Sequence, residues 1–307
     1  MTVSYLVTLH NKEQFIGPVL DSVLAEHATT GGEIIIYDDA STDRSPVIVR
    51  EYLAARAGAP VRVIRGEQNR GVSVATSELV AAAVQPYIRL IDADDLLVPG
   101  STPQLVRLLR KHRLGLIYGG MVRAHVRDPG ERLSLETPCE ILDDAIAEVL
   151  RLDFNGNPSS SLFRASTLTQ VCPLLEWIKR TQDFTIILRL ACRGVRIGRV
   201  RPVVAIAPAE YTGNNLSSAT GAMQAEICRT VAYEQAYIPL DKLRRTTLRY
   251  VRRARGYFQR YDAPDLSAAD ELRLWYWRQF SSLVSSETCV RRLNALADFL
   301  ERDAVPA

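Results

Sequence analysis

Short apolar runs alternate with helically spaced apolar positions from residue 3 to about residue 120. The runs predict strands at about 3–8, 34–37, 61–64, 87–91 and 114–118. The helical spacing predicts helices from Phe15 to Gly31 and at about 41–56, 72–84, 99–111, 141–152 and 182–193, the second of them capped by Ser41, Thr42 and Asp43. Strands joined in this way by crossover helices are typical of a parallel sheet.

The character of the chain changes near residue 210. Beyond Pro208 the strand-like runs vanish, and the remainder reads as several helices, including the arginine-rich segment 241–262. We therefore predict one α/β domain over 1–210, divided at about residue 98, and a helical C-terminal region over 211–307. The polar, irregular stretch 120–140 predicts a long loop.

Composition narrows the class of protein. With 307 residues, of which 47% are hydrophobic, the chain can bury one large core or a core with a smaller appended unit. A net charge of +3 is too small to indicate a nucleic-acid partner. Five widely spaced cysteines without a C-x-x-C pair fit neither a disulfide framework nor a zinc site. We therefore expect the protein to be located in a reducing cytoplasm. No signal peptide precedes the first strand, and no run approaches the ~18 apolar residues of a membrane span.

Polar side chains follow three of the predicted strands, in Thr8-Leu9-His10-Asn11, Asp38-Asp39-Ala40-Ser41 and Asp92-Ala93-Asp94-Asp95. In open α/β sheets, ligands bind outside the carboxyl ends of the strands. Several carboxylates at one edge repel each other unless a cation compensates them, and oxygen ligands suit Mg²⁺ or Mn²⁺ rather than zinc. This edge is therefore the predicted binding site.

Five segments together resemble the inverting, nucleotide-sugar-dependent glycosyltransferases of family 2. The first two are VTLHNKEQFI and IIIYDDASTD, and the third is NRGVSVATSELVAAA together with the IRLIDADD that follows it. The last two are SSSLFR at 159–164 and TQDF at 181–184. The resemblance covers about residues 3–217 and implies a GT-A fold, a Rossmann-like mixed, mostly parallel sheet flanked by helices. It makes 1–98 the nucleotide-sugar half and 99–210 the acceptor half.

Matching positions imply roles for individual residues. Thr8, His10 and Asn11 would border the nucleotide sugar, and Asp39 would accept a hydrogen bond from the base, unless Asp38 takes that part. Asp92 would lie near the ribose.

The remaining implied roles concern the reacting end of the donor. Asp94 would hold Mn²⁺ or Mg²⁺, and Asp183, in the first turn of a helix, would be the catalytic base. Arg70 and Gly71 open a helix. They either form an anion-binding site at the helix N-terminus, or they are an ordinary turn glycine and a solvated arginine.

The chain departs from the family in three places. His10 stands where an aromatic residue is common, and Thr76-Ser77 replaces an Arg-Asn pair that contacts the nucleotide. All four histidines lie upstream of the position where some members carry a further ligand, and 211–215 occupies that position. The third metal ligand therefore stays open.

The resemblance implies that the protein transfers a sugar from a nucleotide sugar, with a UDP-sugar as the expected donor, to a saccharide or lipid-linked acceptor. The implied pathway is the synthesis of a surface polysaccharide or glycolipid. The alternatives are a polyprenyl-phosphate glycosyltransferase and a non-catalytic nucleotide-binding partner protein. Segment 241–262 is either a solvated helix face or a peripheral contact with the inner face of an anionic membrane. Trp275 and Trp277 would anchor such a contact, or be buried by neighbouring helices or a second subunit in a homo-oligomer.

Overall fold

The computed structural model describes residues 1–56, 58–124, 133–134, 136–152, 157–208, 220–260 and 284–302. Clustering of its contacts gives two compact units, Met1–Ala145 with Phe154–Asn215 and Ile146–Asp153 with Leu216–Ala307. The boundary expected near residue 210 and the segment 211–215 lie outside the described residues, as do Trp275 and Trp277. The division into domains and halves therefore stays a prediction.

Nine strands of the described residues form one sheet. They are β1 (Val3–Leu9), β2 (Gly32–Asp38), β3 (Val61–Arg65), β4 (Tyr87–Asp92), β5 (Leu96–Leu97), β6 (Leu116–Arg123), β7 (Glu140–Ile141), β8 (Ser161–Arg164) and β9 (Ile197–Ala207). The order is β3-β2-β1-β4-β8-β6-β9-β5, with β7 paired to β9. Because β8, β5 and β7 run antiparallel to their neighbours, six strands run one way and three the other. The expected mixed, mostly parallel sheet is confirmed.

The helices of the first unit flank this sheet. They are α1 (Ile16–Thr30), α2 (Ser45–Ala54), α3 (Val72–Ala82), α4 (Ser101–Lys111), α6 (Ala165–Leu168) and α7 (Gln182–Cys192). The helix between α4 and α6 in the chain, α5 (Ala145–Arg151), belongs to the second unit except for its first residue. The central strands β1 and β4 are buried almost throughout, because helices cover both faces. Core packing therefore fixes the positions of the strand ends that carry the polar residues.

Within 220–260 and 284–302, the described residues after 219, the second unit has three helices, as the sequence predicts. They are α8 (Thr220–Tyr233), α9 (Leu240–Arg260) and α10 (Ser286–Arg302). Ala225 and Val231 of α8 and Leu293 and Ala297 of α10 are fully buried, so these helices form a core of their own. Across the residues described, none of the helices is long and apolar enough to cross a membrane.

Several local predictions were wrong. The stretch 120–140 is not irregular at its ends, because β6 continues to Arg123 by pairing with β9, and β7 begins at Glu140. Residues 125–132 and 135 of that stretch lie outside the described part. The predicted helix at 141–152 begins only at Ala145. The short strand β8 and the long strand β9 were not predicted.

Candidate active site

The three polar strand ends lie side by side at one edge of the sheet. Within the register, Thr8 of β1 is paired with Asp92 of β4, and Leu9 is paired with Asp38 of β2. The Thr8 hydroxyl donates to Asp92 Oδ1 at 3.2 Å. The structure thus brings Thr8, Asp92 and the 38–41 loop together, as the sequence predicts.

The Asp92-Ala93-Asp94-Asp95 segment concentrates negative charge in a partly enclosed turn. The Asp95 N–H donates to the Asp92 carbonyl at 2.9 Å, which folds the segment back on itself. Burial, and then the charges of Asp94 and Asp183, raise the pKa of Asp92 to about 7. Burial and the charges of Asp92 and Asp94 raise the pKa of Asp95 well above its usual range. Ionisation of all the carboxyl groups in this turn is therefore unfavourable in the protein alone.

Ser159 fixes the geometry of this turn, and sequence reasoning gave it no role. Its hydroxyl is fully buried, donates to Asp95 Oδ2 at 2.7 Å and accepts from the Asp92 N–H at 3.0 Å. Its carbonyl accepts from the buried Arg89 guanidinium at 2.9 Å. Asp95 is accordingly a structural residue of the turn, which leaves Asp92 and Asp94 as the candidates for ligand contact.

Asp183 reaches the same site from α7. It lies in the first turn of that helix, as predicted, and its Oδ1 accepts from the Phe184 N–H at 2.7 Å. Its charge contributes to the raised pKa of Asp92, after burial and the charge of Asp94. The helix dipole favours an ionised carboxylate at this position.

Lys12, another residue that sequence reasoning missed, pairs with the predicted metal ligand. Its Nζ lies 2.6 Å from Asp94 Oδ2, and both side chains are largely buried, with 19% and 12% of their surfaces exposed. A lysine directly after Asn11, beside an edge rich in carboxylates, was the available signal.

His10 and Asn11 organise the loops at the ends of β1 and β2. His10 Nδ1 lies 2.9 Å from the Asp39 carbonyl, and its Nε2 lies 2.9 Å from Asn69 Nδ2. These partners fit a ring that donates from Nδ1 and accepts at Nε2. Asn11, at a φ of 52°, accepts the Thr42 N–H on its Oδ1 at 2.8 Å. Both residues thereby shape the loops that border the site.

Asp39 occupies the helix N-terminus that Arg70 and Gly71 open. Its two carboxylate oxygens accept the Arg70 N–H at 2.9 Å and the Gly71 N–H at 2.7 Å, and the residue is buried. The anion at the start of α3 is therefore a side chain of the protein itself. The Arg70 guanidinium is exposed and pairs with Glu176 at 3.1 Å.

The neighbouring Asp38 is buried as well and accepts the Ser41 N–H on Oδ1 at 2.9 Å. Asp38 therefore caps its own loop, while the expected base contact of Asp39, or of Asp38 in its place, stays a prediction.

The Thr76-Ser77 departure from the family pattern lies on α3. Thr76 is buried, and the Ser77 hydroxyl donates to the Ser73 carbonyl at 2.7 Å and accepts the Leu174 N–H at 2.9 Å. Ser77 therefore ties α3 to the segment that leads towards α7.

The residues present fit a magnesium or manganese ion held jointly with a diphosphate. Over the residues described, no three His, Cys, Asp or Glu side chains are grouped to hold a metal by themselves. Such an ion commonly takes one or two carboxylates and completes its shell with phosphate oxygens and water. Asp94 with Asp92 supplies that number, and Asp94 already has a cationic partner in the Lys12 ammonium, 2.6 Å from its Oδ2.

The raised pKa of Asp92 predicts how stability responds to pH. Between about pH 4 and pH 7 the folded protein keeps a proton that the unfolded chain has released, so stability falls as pH rises through this window. We expect Asp92→Asn to raise the free energy of unfolding of metal-free protein by about 2 kcal/mol at pH 8, a figure reduced for partial exposure. Urea unfolding in chelator at pH 5 and pH 8 measures this.

The gain from Asp92→Asn should shrink as the pH falls and vanish well below pH 4, where both states are protonated. Asp143→Asn, which removes an exposed carboxylate, serves as the control and should give no gain at either pH. A gain at pH 5 as large as that at pH 8 would contradict the account.

Residues 4–159, just over half of the chain, match the model of the family described as glycosyl transferase family 2. The chain belongs to glycosyltransferase family 2. The resemblance found in the sequence is confirmed, and with it the expectation of a glycosyltransferase. Asp183 lies beyond the matched residues, so its role stays a prediction.

Curated relatives of this family 2 chain match over a part of its length. The putative glycosyltransferase EpsE of Bacillus subtilis is 30% identical over 38% of this chain and 41% of its own length. The succinoglycan biosynthesis protein ExoU of Rhizobium meliloti is 34% identical over 34% of this chain and 29% of its own. The dodecaprenyl-phosphate galacturonate synthase of Rhizobium johnstonii is 30% identical over 39% of this chain and 36% of its own. The chain thus spans less than half the length of these relatives.

Solved structures confirm the fold of the family 2 chain. TarS 1-349 of S. aureus, in complex with UDP-GlcNAc, has a TM-score of 0.63 at 17% identity and covers 99% of this chain and 92% of its own. The mannosyltransferase PcManGT of Pyrobaculum calidifontis, with GDP-Man and Mn²⁺, has a TM-score of 0.57 at 15% identity over 97% and 84%. The expected GT-A-type architecture is therefore confirmed.

Proposed function

We propose that this chain transfers a sugar from a nucleotide-diphosphate sugar to an acceptor hydroxyl, with a divalent cation and with inversion at the anomeric carbon. The observation that carries the proposal is the acidic turn at the end of β4, where Asp92 lies next to Asp94 and Ser159 fixes the backbone. Asp183, in the first turn of α7, adds a third acidic group whose charge contributes to the raised pKa of Asp92. Two acidic residues suit a cation and a diphosphate, and a third acid beside them suits proton transfer.

The donor end of the site is held by Asp94 with Asp92. A bound Mn²⁺ or Mg²⁺ would supply electrostatic stabilisation of the charge that develops on the departing diphosphate. The buried Ser159 and Arg89 hold the turn rigid, so that Asp94 has its position before the donor arrives. Thr8, His10, Asn11 and the 39–41 loop would border the nucleoside.

The acceptor end is served by Asp183. As the acceptor oxygen bonds to the anomeric carbon, the bond between that carbon and the diphosphate oxygen breaks, and the nucleoside diphosphate leaves with the electron pair. The proton of the acceptor hydroxyl passes to the Asp183 carboxylate, which accepts the Phe184 N–H on Oδ1 and lies in the first turn of α7. One in-line displacement of this kind inverts the anomeric centre.

The nucleobase and acceptor are left to experiment. The structural neighbours hold a uridine and a guanosine sugar nucleotide, and they resemble this chain in fold alone. The names of two relatives point to succinoglycan and dodecaprenyl phosphate, so both saccharide and polyprenyl-phosphate acceptors are candidates. Synthesis of a surface polysaccharide or glycolipid is the pathway we propose.

A panel assay tests the proposal. Purified protein is incubated with UDP- and GDP-sugars with and without Mn²⁺, and nucleoside diphosphate release is followed with no acceptor, with oligosaccharides and with polyprenyl phosphate. We expect metal-dependent release from one donor, accelerated by one acceptor class. Metal-dependent nucleotide binding without release under any condition would favour a non-catalytic binding protein.

The start of α9 supports a peripheral membrane contact in the second unit. Tyr233, Tyr237 and Leu240, at the turn from α8 into α9, are 59%, 59% and 40% exposed. The basic Arg245 and Arg249 follow one and two turns further along the helix. Aromatic rings beside basic side chains suit the interface of an anionic bilayer.

Replacing Arg245 and Arg249 together by serine is expected to weaken binding to vesicles with anionic lipids about thirtyfold, because each basic residue contributes ~1 kcal/mol near such a surface. Vesicle sedimentation at 0.1 M salt measures this. The matched control removes two exposed arginines of α4, Arg107 and Arg110, and should bind like the wild type. Equal binding to neutral vesicles, or no difference between the two pairs, would contradict a membrane contact.

A further inference from the structure

Lys12 is placed where it must respond to both ligands of the proposed reaction. Its Nζ lies 2.6 Å from Asp94 Oδ2, and only 19% of the surface of the Lys12 side chain is exposed. The pair is thus an ion pair in a largely dry part of the site. Asp94 is the residue proposed to take the metal.

The backbone of Lys12 is firmly anchored. Its N–H donates to the buried Ser45 hydroxyl at 2.8 Å, and its carbonyl accepts the N–H groups of Phe15 and Ile16 at 2.9 and 3.0 Å. These bonds fix the turn that opens α1. Any movement of the ammonium group must therefore come from rotation about the side-chain bonds, within the reach of one lysine.

A divalent cation and the Lys12 ammonium compete for Asp94 Oδ2. Two positive groups at contact distance repel each other strongly where water is scarce. When a cation coordinates Asp94, the ammonium has to leave that oxygen, and it needs another anion within reach. The diphosphate of the donor brings two phosphate groups into the same space.

We propose that Lys12 couples the binding of the metal to the binding of the donor diphosphate. In the empty protein Lys12 holds Asp94 and opposes binding of the metal alone. With the donor present, Lys12 pairs with the diphosphate and leaves Asp94 to the cation. Metal and nucleotide then bind cooperatively, by the reciprocity of linked equilibria. This inference rests on the proposed function.

Calorimetric titration of four proteins tests the coupling. Wild type, Lys12→Met, Lys12→Arg and Lys111→Met are titrated with Mn²⁺ alone, and then with UDP and with GDP at saturating Mn²⁺. The Lys111→Met control removes the same charge from an exposed position on α4. Far-UV circular dichroism confirms folding, and Lys12→Gln repeats the test if Lys12→Met fails to fold.

For Lys12→Met we expect Mn²⁺ alone to bind about tenfold tighter and the nucleoside diphosphate about tenfold weaker than in wild type. Lys12→Arg keeps the charge and should keep the coupling, as should Lys111→Met. If wild type binds the nucleotide with Mn²⁺ but Lys12→Met binds Mn²⁺ alone no tighter, the coupling is overturned and the proposed function stands. If wild type binds neither nucleotide, the proposed function fails, and the coupling with it.

Discussion

Replacing Asp183 by asparagine is expected to lower the kcat of sugar transfer by about 10²–10⁴-fold, the range over which a positioned base contributes. Asparagine keeps the size of the side chain but cannot take the acceptor proton. The dissociation constant of the donor should stay unchanged or fall slightly, because one negative charge near Asp92 is removed. Steady-state kinetics with donor and acceptor varied, together with donor titration, separate these effects.

The Asp183→Asn variant has to be compared with a control variant that loses a carboxylate elsewhere, so that the general effect of removing one negative charge is known. Asp143→Asn provides that control, because Asp143 is exposed in the loop before α5, and it should retain wild-type kcat. A kcat for Asp183→Asn within about threefold of wild type would exclude Asp183 as the base, since such a loss is far below the range for base catalysis.

Replacing Asp94 by asparagine is expected to lower kcat/KM by about 10²–10³-fold and to remove its response to Mn²⁺. The amide retains one oxygen but no charge, so it holds a divalent cation poorly. Removal of metal from wild type by a chelator should reproduce the loss, and added Mn²⁺ should restore wild type but not the variant. Turnover measured across a Mn²⁺ series checks both statements.

The matched comparison for Asp94 is Asp95→Asn at the next position. Asp95 is bonded to Ser159 inside the turn, so its loss should act mainly on stability, seen in urea unfolding, while the Mn²⁺ response persists. A variant of Asp94 that still responds to Mn²⁺ as wild type does would show that the cation is held elsewhere.

The order of elements and the site edge could be predicted because they follow from local patterns. The continuous apolar runs of β1, β2 and β4 indicate strands buried on both faces, and their polar ends must meet once the strands pair in parallel. The family segments then gave residues within that edge their expected roles. The first-turn position of Asp183 followed from the helical spacing after it.

What the sequence could not indicate depends on contacts between distant segments. Strand β9 has charged residues and a proline among its apolar positions, and it becomes a strand by pairing with β6, β5 and β7. Ser159 and Lys12 gain their roles only when folding brings them to the acidic turn. Asp39 likewise accepts the N–H groups of Arg70 and Gly71 at the start of α3 only because folding brings the two segments together.

A nucleotide-sugar site at the end of β4 is tested by calorimetric titration of wild type and Asp94→Asn with UDP, GDP and their sugar conjugates, with and without Mn²⁺. We expect wild type to bind one nucleotide in a Mn²⁺-dependent manner and Asp94→Asn to lose this dependence. Absence of binding to every nucleotide, by a wild type shown to be folded, would contradict a nucleotide-sugar site at the end of β4.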